Sequence, residues 1–367
     1  MHRRRFFLLL LCLLPALLPA VTLEEGEIDG AKFTIARPDR PWNGGLLLLA
    51  HGHRNTSAPL VADLFPEQPA YKAMLDAGWI IASTSYRRNG LILQEAVTDL
   101  DSLRTYVEQK DGGLKRVILE GESMGGMIAA LIAERAGDDY QGVVAIGSAL
   151  NLREPGGISG LSLQPRIPLL FMSNQSELEG ARQYIANLRK EDPEVVPPAL
   201  FRVSRDGHVN VNQRERIEAF RALNLWIDRG REALPSDVVR GEIHDITQVP
   251  EPGPSQVVMG PDGRGFAATI TEVSAIYGNL WINAQPADFA AVGIRAGSWF
   301  QLTAGGQTLR VFHGRDFGSV ERGQWVTFAN ADGFYWLARN LGNAAASLGL
   351  KVGDAVVIRR YDSSGQP

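Results

Sequence analysis

The sequence is poorest in cysteine. Its single one, Cys12, lies in the first apolar run. Past that run there is no thiol to form a disulfide and none to serve as a nucleophile. An excess of one charge is also missing. A net charge of -4 and a pI near 5.9 supply no basic surface for nucleic acid or an anionic membrane. Long apolar runs are confined to the N-terminus. There, His2 to Arg5 is basic, Phe6 to Leu14 is apolar, and the segment ends on the small residue Ala20. This reads as a signal peptide over residues 1–20, too short to span a bilayer comfortably. Leu11, not a small residue, precedes Cys12, which argues against a lipid-anchored cysteine. A secreted or periplasmic protein with no stable membrane anchor after cleavage is expected.

What the sequence does have is centred on Arg116 to Gly137. Val117-Ile118-Leu119 is a strand-like apolar run. Gly121-Glu122-Ser123-Met124-Gly125 follows as G-x-S-x-G, and Met127, Ile128, Leu131 and Ile132 then recur at helical spacing. Strand, sharp turn and helix are the context that makes this motif a nucleophile elbow. Gly121 and Gly125 lack the Cβ atoms that would clash in such a turn. Ser123 then projects at the positive end of the helix, where negative charge is favoured.

The flanking chain alternates strand-like and helix-like segments, as a mainly parallel sheet covered by helices requires. Leu46 to Ala50, Trp79 to Ala82, Val143 to Ile146, Pro168 to Met172 and Ala199 to Val203 read as strands. Ala70 to Ala77, Glu95 to Glu108, a segment starting at Glu177, and one carrying Ile217, Phe220, Leu223 and Ile227 read as helices. Asn151 to Pro165 is a glycine-rich connection long enough for a small lid. With HGH at 51–53, SYRRNG at 85–90, GESMGG at 121–126 and DGH at 206–208 in that order, Leu23 to Arg231 resembles the α/β-hydrolase family. The resemblance implies the chain order nucleophile, acid, histidine, and so Ser123, Glu177 and His208.

The chemistry agrees with that assignment. A serine hydroxyl needs a base within hydrogen-bond reach, and a histidine can take its proton and return it to the leaving group. The acid holds the histidine tautomer and stabilises the imidazolium. Glu179 is the runner-up for that role, Asn174 would be a neutral stand-in, and Asp206 is read as a turn residue. The resemblance further implies an oxyanion hole from the backbone N–H groups of His53 and Met124. His51 and His53 are weaker base candidates because they precede the elbow. Neither a metal nor a cofactor is expected.

Past Glu232 the texture changes. Val249 to Pro254 is proline-rich, and residues 236–265 read as a linker after a catalytic domain over 21–235. From 266 to 367 short strand-like runs alternate with Gly and Asp turns, among them Ala267–Ile270, Trp299–Leu302, Leu309–Phe312 and Ala355–Ile358. This predicts a small all-β barrel. Tyr277 to Asn283, Asn330 to Phe334, Asn340 to Ala345 and Gly349 to Asp354 together resemble the C-terminal barrel of the S-adenosylmethionine hydroxide adenosyltransferase and fluorinase family. The resemblance implies an adenosyl pocket lined by Tyr277, Asn279, Trp281 and Arg339, and assembly into oligomers. Two acids of the family pattern are replaced, by Ser274 and Trp336, and that family's own catalytic domain is absent. A barrel kept for packing or homo-oligomer assembly is the alternative reading.

The expectation is therefore a serine hydrolase acting on a small ester through an acyl-enzyme. A peptidase of the prolyl-oligopeptidase type acting on short peptides, and a catalytically silent binding protein, are the other readings.

Overall fold

In the computed structural model, residues 21–135, 137–150, 161–192, 195–249, 253–274 and 276–361 are described. The leader over 1–20, and residues 151–160 of the connection expected to suit a lid, lie outside them.

The apolar runs become strands of one sheet. In chain order these are β1 (Thr22–Ile28), β2 (Ala31–Arg37), β3 (Gly45–Ala50), β4 (Ile80–Thr84), β5 (Arg116–Glu122), β6 (Gly142–Ile146), β7 (Leu169–Asn174), β8 (Ala199–Val203) and β9 (Ile243–Asp245). Their spatial order is β1-β2-β4-β3-β5-β6-β7-β8-β9. Pairing is parallel from β4 through β9 and antiparallel at β1/β2 and β2/β4. A parallel sheet must be covered on both faces, which is why its strands read as unbroken apolar runs.

The helices are α1 (Pro69–Asp76), α2 (Leu93–Asp111), α3 (Met124–Arg135), α4 (Leu178–Glu191), α5 (Gln213–Arg229) and α6 (Ser236–Val239). Alternation along each strand sends successive side chains to opposite cores. Leu46, Leu48, Val117 and Leu119 pack with Leu100 of α2, Ile128 of α3 and Tyr184 of α4. Leu47 and Ile118 pack on the other face with Met74 of α1 and Phe220 of α5.

The structure departs from the expectation at the sheet's edges. Residues 22–37 form an antiparallel hairpin whose turn places Asp29 and Gly30 at φ 50° and 85°. The Asp-Gly pair suits a turn with two positive φ angles, the signal that would have marked it. At the far edge, Ile243–Asp245 falls inside the stretch read as linker yet pairs with β8. Three residues are too short to show a strand period.

The C-terminal part closes on itself. It contains β10 (Val258–Met259), β11 (Gly265–Val273), β12 (Leu280–Ile282), β13 (Trp299–Ala304), β14 (Gln307–His313), β15 (Trp325–Ala329), β16 (Tyr335–Arg339) and β17 (Ala355–Arg360). The order β11-β12-β16-β15-β14-β13-β17 returns to β11, giving a closed seven-strand barrel with β10 added beside β11. Closure leaves none of the seven barrel strands as a sheet edge. The helices α7 (Pro286–Ala291) and α8 (Ala344–Leu348) pack against it. Phe289 of α7 lies fully buried among Phe266, Phe300 and Tyr335, with ring centroids 4.1 to 5.7 Å apart.

Phe171 of β7 is fully buried and meets the Tyr184 ring edge-on at 5.3 Å. Phe171→Ala should destabilise the sheet domain by about 3–5 kcal/mol through lost burial and a residual cavity. A lowered urea midpoint in far-UV circular dichroism is the expected reading, and an unchanged midpoint would mean that this core relaxes far more freely than its packing implies.

Candidate active site

Ser123 sits where β5 ends and α3 begins, with φ at 56°. A serine in the left-handed region is strained, by about 1–3 kcal/mol, and needs its surroundings to hold it. Ser123 N–H donates to the Ile146 carbonyl at 2.9 Å, and the Ser123 carbonyl accepts from Met127 and Ala149 at 3.2 and 3.1 Å. The two motif glycines are required by contact. A Cβ on Gly121 would stand 2.0 Å from the Gly125 carbonyl oxygen, and one on Gly125 would stand 1.9 Å from that of Ala50.

Three side chains form a relay here. Ser123 Oγ lies 2.8 Å from His208 Nε2, and His208 Nδ1 lies 2.6 Å from Glu177 Oε2. The second Glu177 oxygen accepts from Val209 N–H at 3.1 Å, so the carboxylate is fixed at both ends. The histidine is exposed and the glutamate half-buried. His208 titrates above the ordinary 6.5, chiefly through its hydrogen bond to Glu177; desolvation opposes the rise, and the charges of Glu177 and Glu122 add to it. In such a relay a serine proton can pass to Nε2 while Nδ1–H stays on the carboxylate.

The alternatives for the acid are engaged elsewhere. Glu179 is bonded to Gln183 on the exposed side of α4. Asn174 is fully buried and exchanges two hydrogen bonds with the backbone of Asn210, at 2.9 and 2.8 Å. Asp206 accepts from Gln175 Nε2 at 3.1 Å and its carbonyl closes a turn with Asn210.

The loop after β3 lies against the serine. A Cβ on Gly52 would stand 3.2 Å from Ser123 Cβ. His53 is exposed beside it, and Met124 opens α3, where backbone N–H groups have no partner within the helix. His51 ring nitrogens lie 2.7 and 3.1 Å from the Gly52 and Ser85 carbonyls. Burial, helped by the charge of Arg54, pushes its pKa down to about 3.

Other contributors were not visible in the motifs. Gly147 has φ 52°, and a Cβ there would stand 2.7 Å from Glu177 Oε1. Arg216 of α5 pairs with both Glu120 and Glu122 of β5, tying the helix after the histidine loop to the strand before the serine. Burial raises the Glu122 carboxyl, and the His208 charge opposes the rise. The acid in the second place of G-E-S-M-G was the one available signal for this cluster.

The four barrel residues expected to line a pocket make the following contacts. Tyr277 donates its hydroxyl to the His53 carbonyl at 3.2 Å. Asn279 is buried and its carbonyl accepts from Ser274. Trp281 meets Trp336 edge-on at 4.8 Å. Arg339 donates to the Gly323 carbonyl and Ser347 Oγ. Among the described residues no hydrogen bond or ring contact joins Arg339 to the other three. Among the same residues no group of three or more acids, histidines or cysteines could hold a metal, and no helix is long and apolar enough to cross a membrane.

Comparison with known proteins bears on both parts. Residues 87–222 match the family described as serine aminopeptidase, S33, and residues 275–357 match the SAM hydroxide adenosyltransferase C-terminal domain. No curated protein matches the chain. Among solved structures it is similar to an uncharacterized conserved protein of Thermotoga maritima, at 21% identity and a TM-score of 0.27, over 40% of this chain and 49% of that one. It is also similar to a fluorophosphonate-binding serine hydrolase of Staphylococcus aureus, at 14% identity and a TM-score of 0.40, over 57% and 98%. An alpha-beta serine hydrolase homologue of Coxiella burnetii aligns at 16% identity and a TM-score of 0.35, over 46% and 82%. The chain thus spans about half the length of the Thermotoga protein. It pairs a mainly parallel sheet covered by helices, of the α/β-hydrolase type, with a closed barrel, and the two matched segments fall one in each part.

Proposed function

We propose that the protein hydrolyses carboxylic esters of small molecules through an acyl-enzyme on Ser123. The observation that carries this reading is the relay itself, Ser123 Oγ to His208 Nε2 at 2.8 Å and His208 Nδ1 to Glu177 at 2.6 Å. His208 takes the Ser123 proton as Oγ bonds to the acyl carbon. The tetrahedral intermediate collapses, the C–O bond to the alcohol breaks, and His208 returns the proton to that alcohol. Water, deprotonated by His208, then releases the acid. The His53 and Met124 N–H groups are the oxyanion donors, and each such donor contributes about 3 kcal/mol to barrier lowering. The basic segment and apolar run before Ala20 support export to a secreted or periplasmic location.

The match to serine aminopeptidases favours a second reading, cleavage of short peptides by the same relay. A panel of p-nitrophenyl esters and aminoacyl p-nitroanilides separates the two. Ester turnover with no anilide turnover is expected, and the reverse pattern would replace the ester reading.

Ser123→Ala should remove labelling by a fluorophosphonate probe and lower kcat by a factor on the order of 10^6, because the relay acts as a unit. Far-UV circular dichroism should be unchanged. Retained labelling would place the nucleophile elsewhere.

The pH dependence follows from His208. The base works only when neutral, so kcat/KM rises with pH through its pKa, and the raised value puts that acid limb above 6.5. Glu177→Gln removes the charge and leaves only a neutral, weaker acceptor for Nδ1–H, so the limb should move down while kcat falls by a factor on the order of 10^4. Glu179→Gln should alter neither. Equal effects of the two substitutions would move the acid to another residue.

A further inference from the structure

Two turns of the barrel reach the hydrolase domain, one on the loop that lies against Ser123 and one at the start of α5. Tyr277, on the loop between β11 and β12, donates its hydroxyl to the His53 carbonyl at 3.2 Å. Asp332, between β15 and β16, accepts from the N–H of Gln213 at 2.9 Å. Gln213 is the first residue of α5, five positions past His208. Both barrel residues belong to the stretches that carry the barrel resemblance, Tyr277 to Asn283 and Asn330 to Phe334.

The Tyr277 contact is made by its hydroxyl more than by its ring. The side chain remains 50% exposed, whereas a residue placed for packing alone would bury its ring. On the receiving side, Tyr277 is the only hydrogen-bond partner of His53 among the described residues. The residues that follow are well fixed. Arg54 is buried with its guanidinium on Asp63 at 2.8 Å, its carbonyl accepts from Gly90, and Asn89 holds the Ala58 carbonyl. On the other side Gly52 is pressed against Ser123. Among the described residues, the Tyr277 hydroxyl is thus the one hydrogen-bonding group that holds His53. The His53 N–H lies in the Gly52–His53 peptide plane; Gly52 against Ser123 holds that plane on one side, and the pinned His53 carbonyl holds the Cα on the other.

We propose that the barrel is a working part of the hydrolase site, with Tyr277 a positioning residue that sets the His53 N–H and Asp332 a second tether that holds the start of α5 behind the His208 loop. The proposal rests on the reading of Ser123 as nucleophile and His53 as oxyanion donor. It assigns the Tyr277 loop to the active-site wall of this chain, where it meets the hydrolase domain.

The test uses the full chain with Tyr277→Phe, Asp332→Ala, and Arg310→Gln as a control, since Arg310 stacks on Trp299 elsewhere on the barrel. Turnover of p-nitrophenyl acetate and amide hydrogen exchange are measured for each. Tyr277→Phe should lower kcat by about 10–100-fold through misplacement of the donor, leave KM within a factor of about two, and speed exchange over residues 51–58. Asp332→Ala should speed exchange at the start of α5, and Arg310→Gln should match wild type. Unchanged exchange over 51–58 in Tyr277→Phe overturns the positioning role, whether or not kcat falls. If the wild-type protein neither turns over the ester nor labels at Ser123, the functional reading fails, and the exchange data alone decide whether the barrel orders the loop.

Discussion

The arrangement depends on one strained residue. Ser123 occupies a backbone conformation that an L-residue avoids, and neighbouring elements are shaped around it. The motif glycines are absences of atoms where carbonyl groups pass within about van der Waals contact. The hydrogen bonds from Ser123 N–H to Ile146 and from Ala149 to Ser123 tie the turn to the end of β6. The strain is held by a sheet whose central strands are buried on both faces, which is where a fold has the most rigidity.

That rigidity is transmitted to the histidine side by charge. Glu120 and Arg216 are nearly fully buried, and both Glu120 and Glu122 pair with the one guanidinium. Burying such a cluster costs several kcal/mol of desolvation per ion, so it is weak as a source of stability. Its geometry is informative. Arg216 lies on the first turns of α5, and the two glutamates flank the end of β5. A guanidinium fork that must satisfy both carboxylates sets the distance between the helix following His208 and the strand preceding Ser123. A pair of apolar residues there would pack without fixing that register.

How much of this could be read in the sequence follows from the range of each interaction. The elbow, the central strands and the amphipathic helices are local patterns, and they stand close to where periodicity puts them. Ser123, Glu177 and His208 follow from the elbow motif together with the chain order that the family resemblance implies, and they are adjacent in the fold. The hairpin at 22–37 is marked only by the Asp29-Gly30 pair, and the edge strand at 243–245 is three residues long and carries no period. Gly147 could not be found at all. Its lack of a side chain matters only because Glu177 arrives from thirty positions away. Tyr277 was expected to line a pocket, and its contact with His53, 224 positions distant, was not expected. A contact of that separation leaves no trace in a local window unless a motif marks its ends, as the elbow and the D-G-H turn mark Ser123 and His208.

An exposed histidine raises the question of what orders it. The loop carrying His208 has positive φ at Gly207 and Val209, so it is not a regular turn that would hold its own shape. Its backbone is instead satisfied from outside. Ser176 bonds Gly207 through both N–H and carbonyl, Glu177 takes the Val209 N–H, and Asn174 takes the N–H and carbonyl of Asn210. All three donors or acceptors come from 174–177, the end of β7 and the short helical turn after it. One segment thus supplies both the carboxylate that orients the imidazole and the groups that fix its loop. Because the site is open to water, long-range fields are screened there. The rise in the His208 pKa therefore comes first from the short bond to Glu177, and it depends on that loop being held within about half an ångström of its place.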